Sequence, residues 1–303
     1  MKSMNIFSKT KDTVSSLIDF SECNLIDISL GGAMDKLVVK YNRKLYILKF
    51  NQEGNSTTVS EYIASRIAKA LAIPCQRVLL GVYNGRDCCA IEYFLNGQEK
   101  LHAYKEINNS SLSNSFNKDI RNLPYNLEDI IEVITNYKSL NIPISERLKA
   151  FEMMCYFDTL IGNFDRHWGN WGFIGNNKDY RLAPLFDNGS SLFPKRQITG
   201  VTKLLNSKQE LLKRVYAFPT SAIKKLDTKY LYKELILDMQ RLLETNTLAL
   251  FCKSMDKINL EVLIKEDVIL KEVLEKEDLD FIVTIIKLRY KLLLREVWIN
   301  ATL

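Results

Sequence analysis

The 303 residues, 47% hydrophobic and 26% charged, are enough to bury a large core in one bilobal unit or two domains. A net charge of +6 suits an anionic ligand such as a nucleotide, but it is too dispersed for the basic stripe of a nucleic-acid binder, and no apolar run approaches the roughly 18 residues that cross a membrane. Six cysteines without a Cys-x-x-Cys pair, and only two histidines, argue against zinc and for reduced thiols in a cytoplasmic protein, the vicinal pair Cys88-Cys89 included.

Residues 1–24 read as a polar lead-in with a short helix around Val14–Phe20. Strand patterns follow at Ile26–Ile28, Leu37–Tyr41 and Leu45–Phe50, the last two joined by the turn Asn42-Arg43. After a turn at Gln52–Asn55, Thr57 or Thr58 caps a helix whose apolar face carries Ile63, Ile67, Ala70 and Leu71, and Pro74 ends it. Two further strands, Arg77–Tyr83 and Cys89–Phe94, flank the turn Asn84-Gly85. This order of elements predicts a small α+β lobe over residues 1–95.

Residues 96–126 are rich in turn formers and carry no clear element. A helical lobe over residues 96–303 begins with a helix at Leu127–Leu140, followed by a long one capped by Ser145 and running to Ile161. Trp171–Ile174 and Tyr180–Phe186 form a hairpin, and beyond Val201 the pattern is helical. It closes on Leu279–Trp298, with Lys287, Arg289, Lys291 and Arg295 on a solvated basic face. No segment repeats.

Ile161-Gly-Asn-Phe-Asp-Arg-His-Trp-Gly-Asn170 places Asp165 five residues before Asn170, and Pro184-Leu-Phe-Asp187 ends the next apolar run with a second acid. Phosphoryl transfer needs such a set: one carboxylate to accept a hydroxyl proton, and an amide with a second carboxylate to hold magnesium against phosphates. Protein-kinase catalytic loops space base and amide identically. Asp187-Asn-Gly189 also reads as a plain turn. Asn163 and His167 flank the base, and His167 is expected to fix the loop by bonding its backbone. Arg166 either faces a phosphate or is exposed, and His102 reads as a surface histidine.

Upstream, Ser29-Leu-Gly-Gly-Ala-Met-Asp-Lys36 lies between two strands. Gly31 and Gly32 let backbone N–H groups turn toward an anion, and Lys36 adds charge; a plain hairpin turn is the other reading. Lys49 alternates within an apolar strand, and Glu61 on the following helix is its available partner, as in the lysine–glutamate pair of kinases. Glu92, Tyr93 and Phe94 stand where a linker between lobes would offer backbone groups to an adenine ring.

These residues resemble the HipA family of bacterial serine/threonine kinases. The family's Asn-x-Asp-x-His-x-x-Asn is matched by Asn163–Asn170, its Pro-Leu-(Tyr/Phe)-Asp by Pro184–Asp187, and its Ser-x-x-Gly-Ala-x-x-Lys by Ser29–Lys36, Ala33 included. The resemblance implies the bilobal protein-kinase-like fold, ATP and magnesium as ligands, a protein substrate bearing serine or threonine, and autophosphorylation, with Ser29 at the modified position. It is to short stand-alone members: about 25 residues precede the phosphate loop, so an antitoxin partner or a DNA-bound complex is not expected. Such members also make export from the producing bacterium conceivable, although no export signal is visible. A small-molecule or lipid kinase of the same fold, and a nucleotide-binding pseudokinase acting by docking, are the alternative functions.

Overall fold

The computed structural model describes residues 16–27, 36–51, 54–107, 125–137, 140–176, 180–195 and 200–302. Two compact units emerge, one from residues 1–94, 189–211 and 258–285, the other from 95–188, 212–257 and 286–303.

The first unit is built on a six-stranded sheet: β1 (Ile18–Asp19), β2 (Asn24–Leu25), β3 (Lys36–Tyr41), β4 (Lys44–Phe50), β5 (Val78–Tyr83) and β6 (Arg86–Glu92), in the order β1-β5-β6-β4-β3-β2. All pairings are antiparallel except β1 with β5. Side chains alternate across β4: Tyr46, Leu48 and Phe50 join Phe20, Val39, Cys88 and Ala90 in one core, which leaves Leu45, Ile47 and Lys49 on the other face. Where a helix is expected around Val14–Phe20, the described residues 16–20 hold no helix, and Ile18–Asp19 form strand β1. Gly81 allows that parallel pairing, because a Cβ there would lie 2.1 Å from the Ile18 carbonyl oxygen.

Helix α1 (Thr57–Ala70) packs on β5 and β6 through an apolar stripe that includes Val59, Ile63 and Ile67. Its N-cap is Ser56, not Thr57 or Thr58, and the Ser56 hydroxyl does not cap it. Asn51, two residues beyond Lys49, does that work: its side-chain oxygen accepts the Thr58 N–H at 3.1 Å and the Thr57 hydroxyl at 3.3 Å. Ser56 is thereby released to donate both its N–H and its hydroxyl to the Pro194 carbonyl, at 2.9 and 2.8 Å. Further along α1, the Tyr62 hydroxyl donates to Asp267 at 3.1 Å and Arg66 pairs with the same carboxylate at 3.1 Å. Cys88 and Cys89 are fully buried in the sheet, and burial pushes both thiols up, which makes them inert packing residues.

The second unit holds a three-stranded antiparallel sheet, β7 (Lys100–Ala103), β8 (Gly172–Gly175) and β9 (Tyr180–Leu182), in that order. β7 falls in the stretch read as structureless, because Lys100-Leu-His-Ala has neither β-branched nor aromatic residues to mark it. Gly172 lets it approach: a Cβ there would meet the His102 carbonyl oxygen at 2.2 Å. His102 is half-buried rather than on the surface, its ring 5.5 Å from that of Tyr180.

Helix α2 (Leu127–Asn136) ends at an extended C-cap, Tyr137, short of Leu140, and buried Arg147 collects carbonyls around that end. Its guanidinium donates to Ile134, Tyr137, Leu140 and Ile142. Arg147 belongs to helix α3 (Ile144–Ile161), whose N-cap is Pro143 and whose C-terminal half is buried on nearly all faces. The lysine- and arginine-bearing C-terminal segment is helical as expected, but Arg289 is 1% exposed and is no part of a solvated face. Among the described residues, no helix is long and apolar enough to cross a membrane.

Candidate active site

In the first unit, Lys49 lies on the face of β4 turned toward α1, and its Nζ donates to the Glu61 carboxylate at 2.9 Å. Glu61 is 2% exposed, so the pair sits in a dry setting where a charge-assisted bond is strong. Cys89, opposite Lys49 in the register, completes the pair's floor. Gly189 rests against the same helix, since a Cβ there would come within 3.3 Å of Thr57 and 3.4 Å of Glu61.

The phosphate-loop candidates Ser29, Gly31, Gly32 and Ala33 lie outside the described residues, and of Lys36 only the backbone is described, at the start of β3 opposite Lys49. The linker candidates Glu92 and Tyr93 have their N–H groups engaged by the carbonyls of Arg77 and Leu45, both at 2.9 Å, while the Glu92 carboxylate pairs with Lys44. Phe94 is the last residue of the first of the three segments that make up this unit.

In the second unit, the catalytic-loop candidates are held from below by the end of α3. Gly162 terminates that helix with φ 66°, and a Cβ there would press on Pro219 at 3.0 Å. Asn163 is fully buried. Its amide donates to Asp158 at 3.1 Å and its side-chain oxygen accepts the Asp165 N–H at 3.2 Å, so it shapes the turn that carries Asp165. The Tyr232 hydroxyl donates to the Asn163 carbonyl, and the Tyr125 hydroxyl donates to the Arg166 carbonyl at 2.9 Å, fixing the backbone on both sides of Asp165.

Asn170 donates its amide N–H to the Asp165 carbonyl at 2.8 Å, which fixes the side chain and turns the amide oxygen the other way. His167 accepts the Gly169 N–H at 3.0 Å on Nδ1, the loop-shaping bond expected of it. A Cβ on Gly169 would sit 3.0 Å from the imidazole.

Arg166 is neither exposed nor presented to a ligand. It is 3% exposed and grips Asp158 through Nε and Nη2 at 2.9 and 3.0 Å. Its remaining donors reach the Asn170 carbonyl at 2.8 Å, the Phe186 carbonyl at 2.5 Å and the Asn188 side-chain oxygen at 2.5 Å. One guanidinium therefore ties the catalytic loop to the residues on either side of Asp187, and the two acids and the amide are brought together by it. Asp187 has φ 57°, a left-handed conformation that asparagine and aspartate tolerate better than other residues.

Burial pushes the Asp165 carboxyl above the usual carboxylate range, the charge of Asp187 adds to it, and His167, Lys229 and Arg166 pull it back. Burial likewise raises Asp158, against Arg166 and Asn163. Below the loop lies Arg289, which donates to the Thr159, Arg214 and Val215 carbonyls, at 2.6, 2.9 and 3.4 Å, and stacks 4.8 Å from the Tyr232 ring. The dipoles of two helix C-termini and an aromatic face offset this buried charge, and burial still lowers it to about 10.

Asn170 and Asp187 offer hard oxygen donors, which suits magnesium held by few protein groups together with substrate phosphates. Among the described residues, no cluster of three His, Cys, Asp or Glu forms a metal cage of its own. Sequence reasoning missed Asp158, Tyr125, Tyr232 and Asn188. Asp158 carried a signal, as the one carboxylate in the apolar run Cys155-Tyr-Phe-Asp-Thr-Leu-Ile161.

Comparison with known proteins adds four findings. The family model described as HipA-like C-terminal domain matches residues 28–245. Serine/threonine-protein kinase CtkA of Helicobacter pylori strain J99 is 35% identical over 221 residues, 68% of this chain and 66% of that protein. The chain thus matches just under two thirds of its curated relative's length. The crystal structure of the Helicobacter pylori proinflammatory kinase CtkA superposes with a TM-score of 0.80 at 29% identity, covering 92% of this chain and 96% of that one, and the two share their α+β kinase fold. HipA of Shewanella oneidensis MR-1, from a complex with HipB and operator DNA, is similar in fold alone, with a TM-score of 0.53 at 14% identity over 87% of this chain and 64% of that one.

Proposed function

The chain belongs to the HipA-like C-terminal domain family, and from that membership we propose that it is an ATP- and magnesium-dependent serine/threonine protein kinase that also phosphorylates itself. The observation that carries the proposal is the Arg166 junction, which joins the loop of Asp165 and Asn170 to the residues flanking Asp187. A turn of purely structural purpose has no need of a base, an amide and a second acid locked together on a buried ion pair.

Asp165 accepts the proton of the substrate hydroxyl; its half-buried carboxyl, raised by burial and by Asp187, makes it a better base than an exposed aspartate. Asn170 and Asp187 hold the magnesium, which when bound neutralises charge on the phosphates. Lys49, positioned by Glu61, takes the α- and β-phosphates, and the Gly31-Gly32 loop with Lys36 covers them. Asn163 and His167 keep the loop in shape and do not touch the reacting atoms. Ser29 is the acceptor in self-modification. The sequence similarity to CtkA supports a protein substrate.

The test is ADP release from ATP with a serine-containing protein acceptor, with and without magnesium. Magnesium-dependent turnover that Asp187→Asn abolishes supports the reading. Turnover indifferent to both removes it.

A further inference from the structure

Residues Ile223 to Tyr230 form a small hairpin, β10 (Lys224–Lys225) and β11 (Thr228–Lys229), in which Lys224 pairs with Lys229 and Lys225 with Thr228. All six residues from Lys224 to Lys229 are exposed. The hairpin is rooted in the same groups that hold the catalytic loop. The Lys224 N–H donates at 2.8 Å to the carbonyl of Tyr125, whose hydroxyl fixes the Arg166 carbonyl. Three residues past Lys229, Tyr232 fixes the Asn163 carbonyl. The hairpin therefore springs from the two tyrosine anchors that bracket Asp165.

Neither stability nor turn chemistry explains its residues. Lys224 and Lys229 face each other directly across the ladder, where like charges repel and destabilise the pair. Among the described residues neither has a carboxylate partner, whereas Lys225 is engaged by Asp238 at 2.9 Å and lies over the Tyr230 ring. Leu226 opens the two-residue turn with φ 55°, a place where glycine or asparagine is usual, and it is 86% exposed. Asp227, the other turn residue, is the hairpin's single acid. A like-charged lysine pair and a solvent-facing leucine in a left-handed turn, rooted in the groups that hold the loop of Asp165, are features of a surface that another chain covers.

We propose that the hairpin Lys224–Lys229 is a substrate-docking element that selects peptides with acidic side chains close to the phosphoacceptor serine or threonine, with Lys224 and Lys229 taking the carboxylates and Leu226 an apolar neighbour. This rests on the protein-kinase reading above and names its substrate class. Two carboxylates set against the lysine pair relieve the cross-strand repulsion, so the docked state corrects a defect of the free one. The pair is solvent-exposed, so its gain is modest and salt-sensitive.

The test compares two synthetic serine peptides, identical except that glutamates flanking the serine in one are glutamines in the other. They are presented to the full chain, to Lys224→Gln/Lys229→Gln and to Leu226→Asn, with self-phosphorylation measured in parallel. The wild type is expected to use the glutamate peptide with about fivefold higher kcat/KM, an advantage that shrinks at high salt. The double lysine variant is expected to lose this discrimination while melting no lower than the wild type, because a repulsion has been removed; a hairpin of merely structural importance would melt lower and keep its preference. Leu226→Asn, which relaxes the turn, is expected to weaken both peptides equally through KM. A wild type that phosphorylates itself but uses the two peptides equally, or neither, overturns the docking inference alone. A wild type that transfers phosphate to nothing overturns the kinase reading and this inference with it.

Discussion

The Asp158–Arg166 pair gives the most decisive stability prediction. Both groups are buried, at 4% and 3% exposure, and they meet through two bonds of 2.9 and 3.0 Å. Asp158→Leu leaves the guanidinium buried without its counter-charge, a change that costs about 3–5 kcal/mol. Arg166→Met strands the carboxylate, but burial already favours its protonated form, so the acid can neutralise itself. The cost then comes from the carbonyls of Asn170 and Phe186 and the side chain of Asn188, each losing a donor worth about 1 kcal/mol. In the double variant no buried charge remains, so the two losses are expected to fall short of their sum by about 2 kcal/mol. Activity is expected to behave differently. All three variants should lose about 100-fold in kcat, because Arg166 is then either missing or no longer held in place by Asp158, and the loop of Asp165 loses its fixed relation to the segment of Asp187. Urea unfolding followed by tryptophan fluorescence reads the right region, since Trp168, Trp171 and Trp298 all belong to the second unit. A single variant costing under about 1 kcal/mol, strictly additive losses, or a double variant with wild-type turnover would each refute the reasoning.

Asp187→Asn is expected to abolish phosphoryl transfer with no loss of melting temperature, because asparagine accepts the φ of 57° as readily as aspartate does. Asp165 is held above the ordinary carboxylate range, so its stabilising contribution is present below its unfolded pKa and lost as pH rises through the folded one. Asp165→Asn, free of metal and nucleotide, should therefore melt higher than the wild type at neutral pH, with the difference closing toward about pH 4 and below. Glu61→Gln removes the 2.9 Å partner of Lys49 and is expected to lower kcat/KM for ATP on the order of tenfold or more, read in steady-state kinetics. Gly172→Ala would drive a Cβ to 2.2 Å from the His102 carbonyl oxygen, and parting β7 from β8 is expected to cost about 3 kcal/mol or more in unfolding.

What the sequence revealed follows from the range of each interaction. Strand β4 announced itself by period-two alternation, and Asp165, Asn170 and Asp187 by spacing along a short stretch; both are local signals. The capping errors came from competition that only the fold resolves. Ser56, a good N-cap residue, spends its hydroxyl on the Pro194 carbonyl 138 residues away, and Asn51 caps in its place. Arg166 read as facing a phosphate or exposed, and Arg289 as part of a solvated face, because arginine is seldom buried; yet Arg166 is sunk against Asp158 and three backbone or side-chain oxygens, and Arg289 against carbonyls and the Tyr232 ring. Strand β7 was silent because its pairing with β8 rests on backbone bonds and on Gly172, not on a side-chain pattern. The phosphate-loop reading at Ser29, Gly31, Gly32 and Ala33 stands on sequence alone.

The central claim is phosphoryl transfer through Asp165, and the most direct measurement is phosphate mapping by mass spectrometry on the wild type and Asp165→Ala after incubation with magnesium and ATP. Phosphate on Ser29 or another hydroxyl of the wild type, in mass steps of about 80 Da and absent from Asp165→Ala, is the predicted result. Equal phosphate on both proteins would contradict the assignment of the base. An unmodified wild type that also leaves every protein acceptor unmodified would contradict the kinase itself.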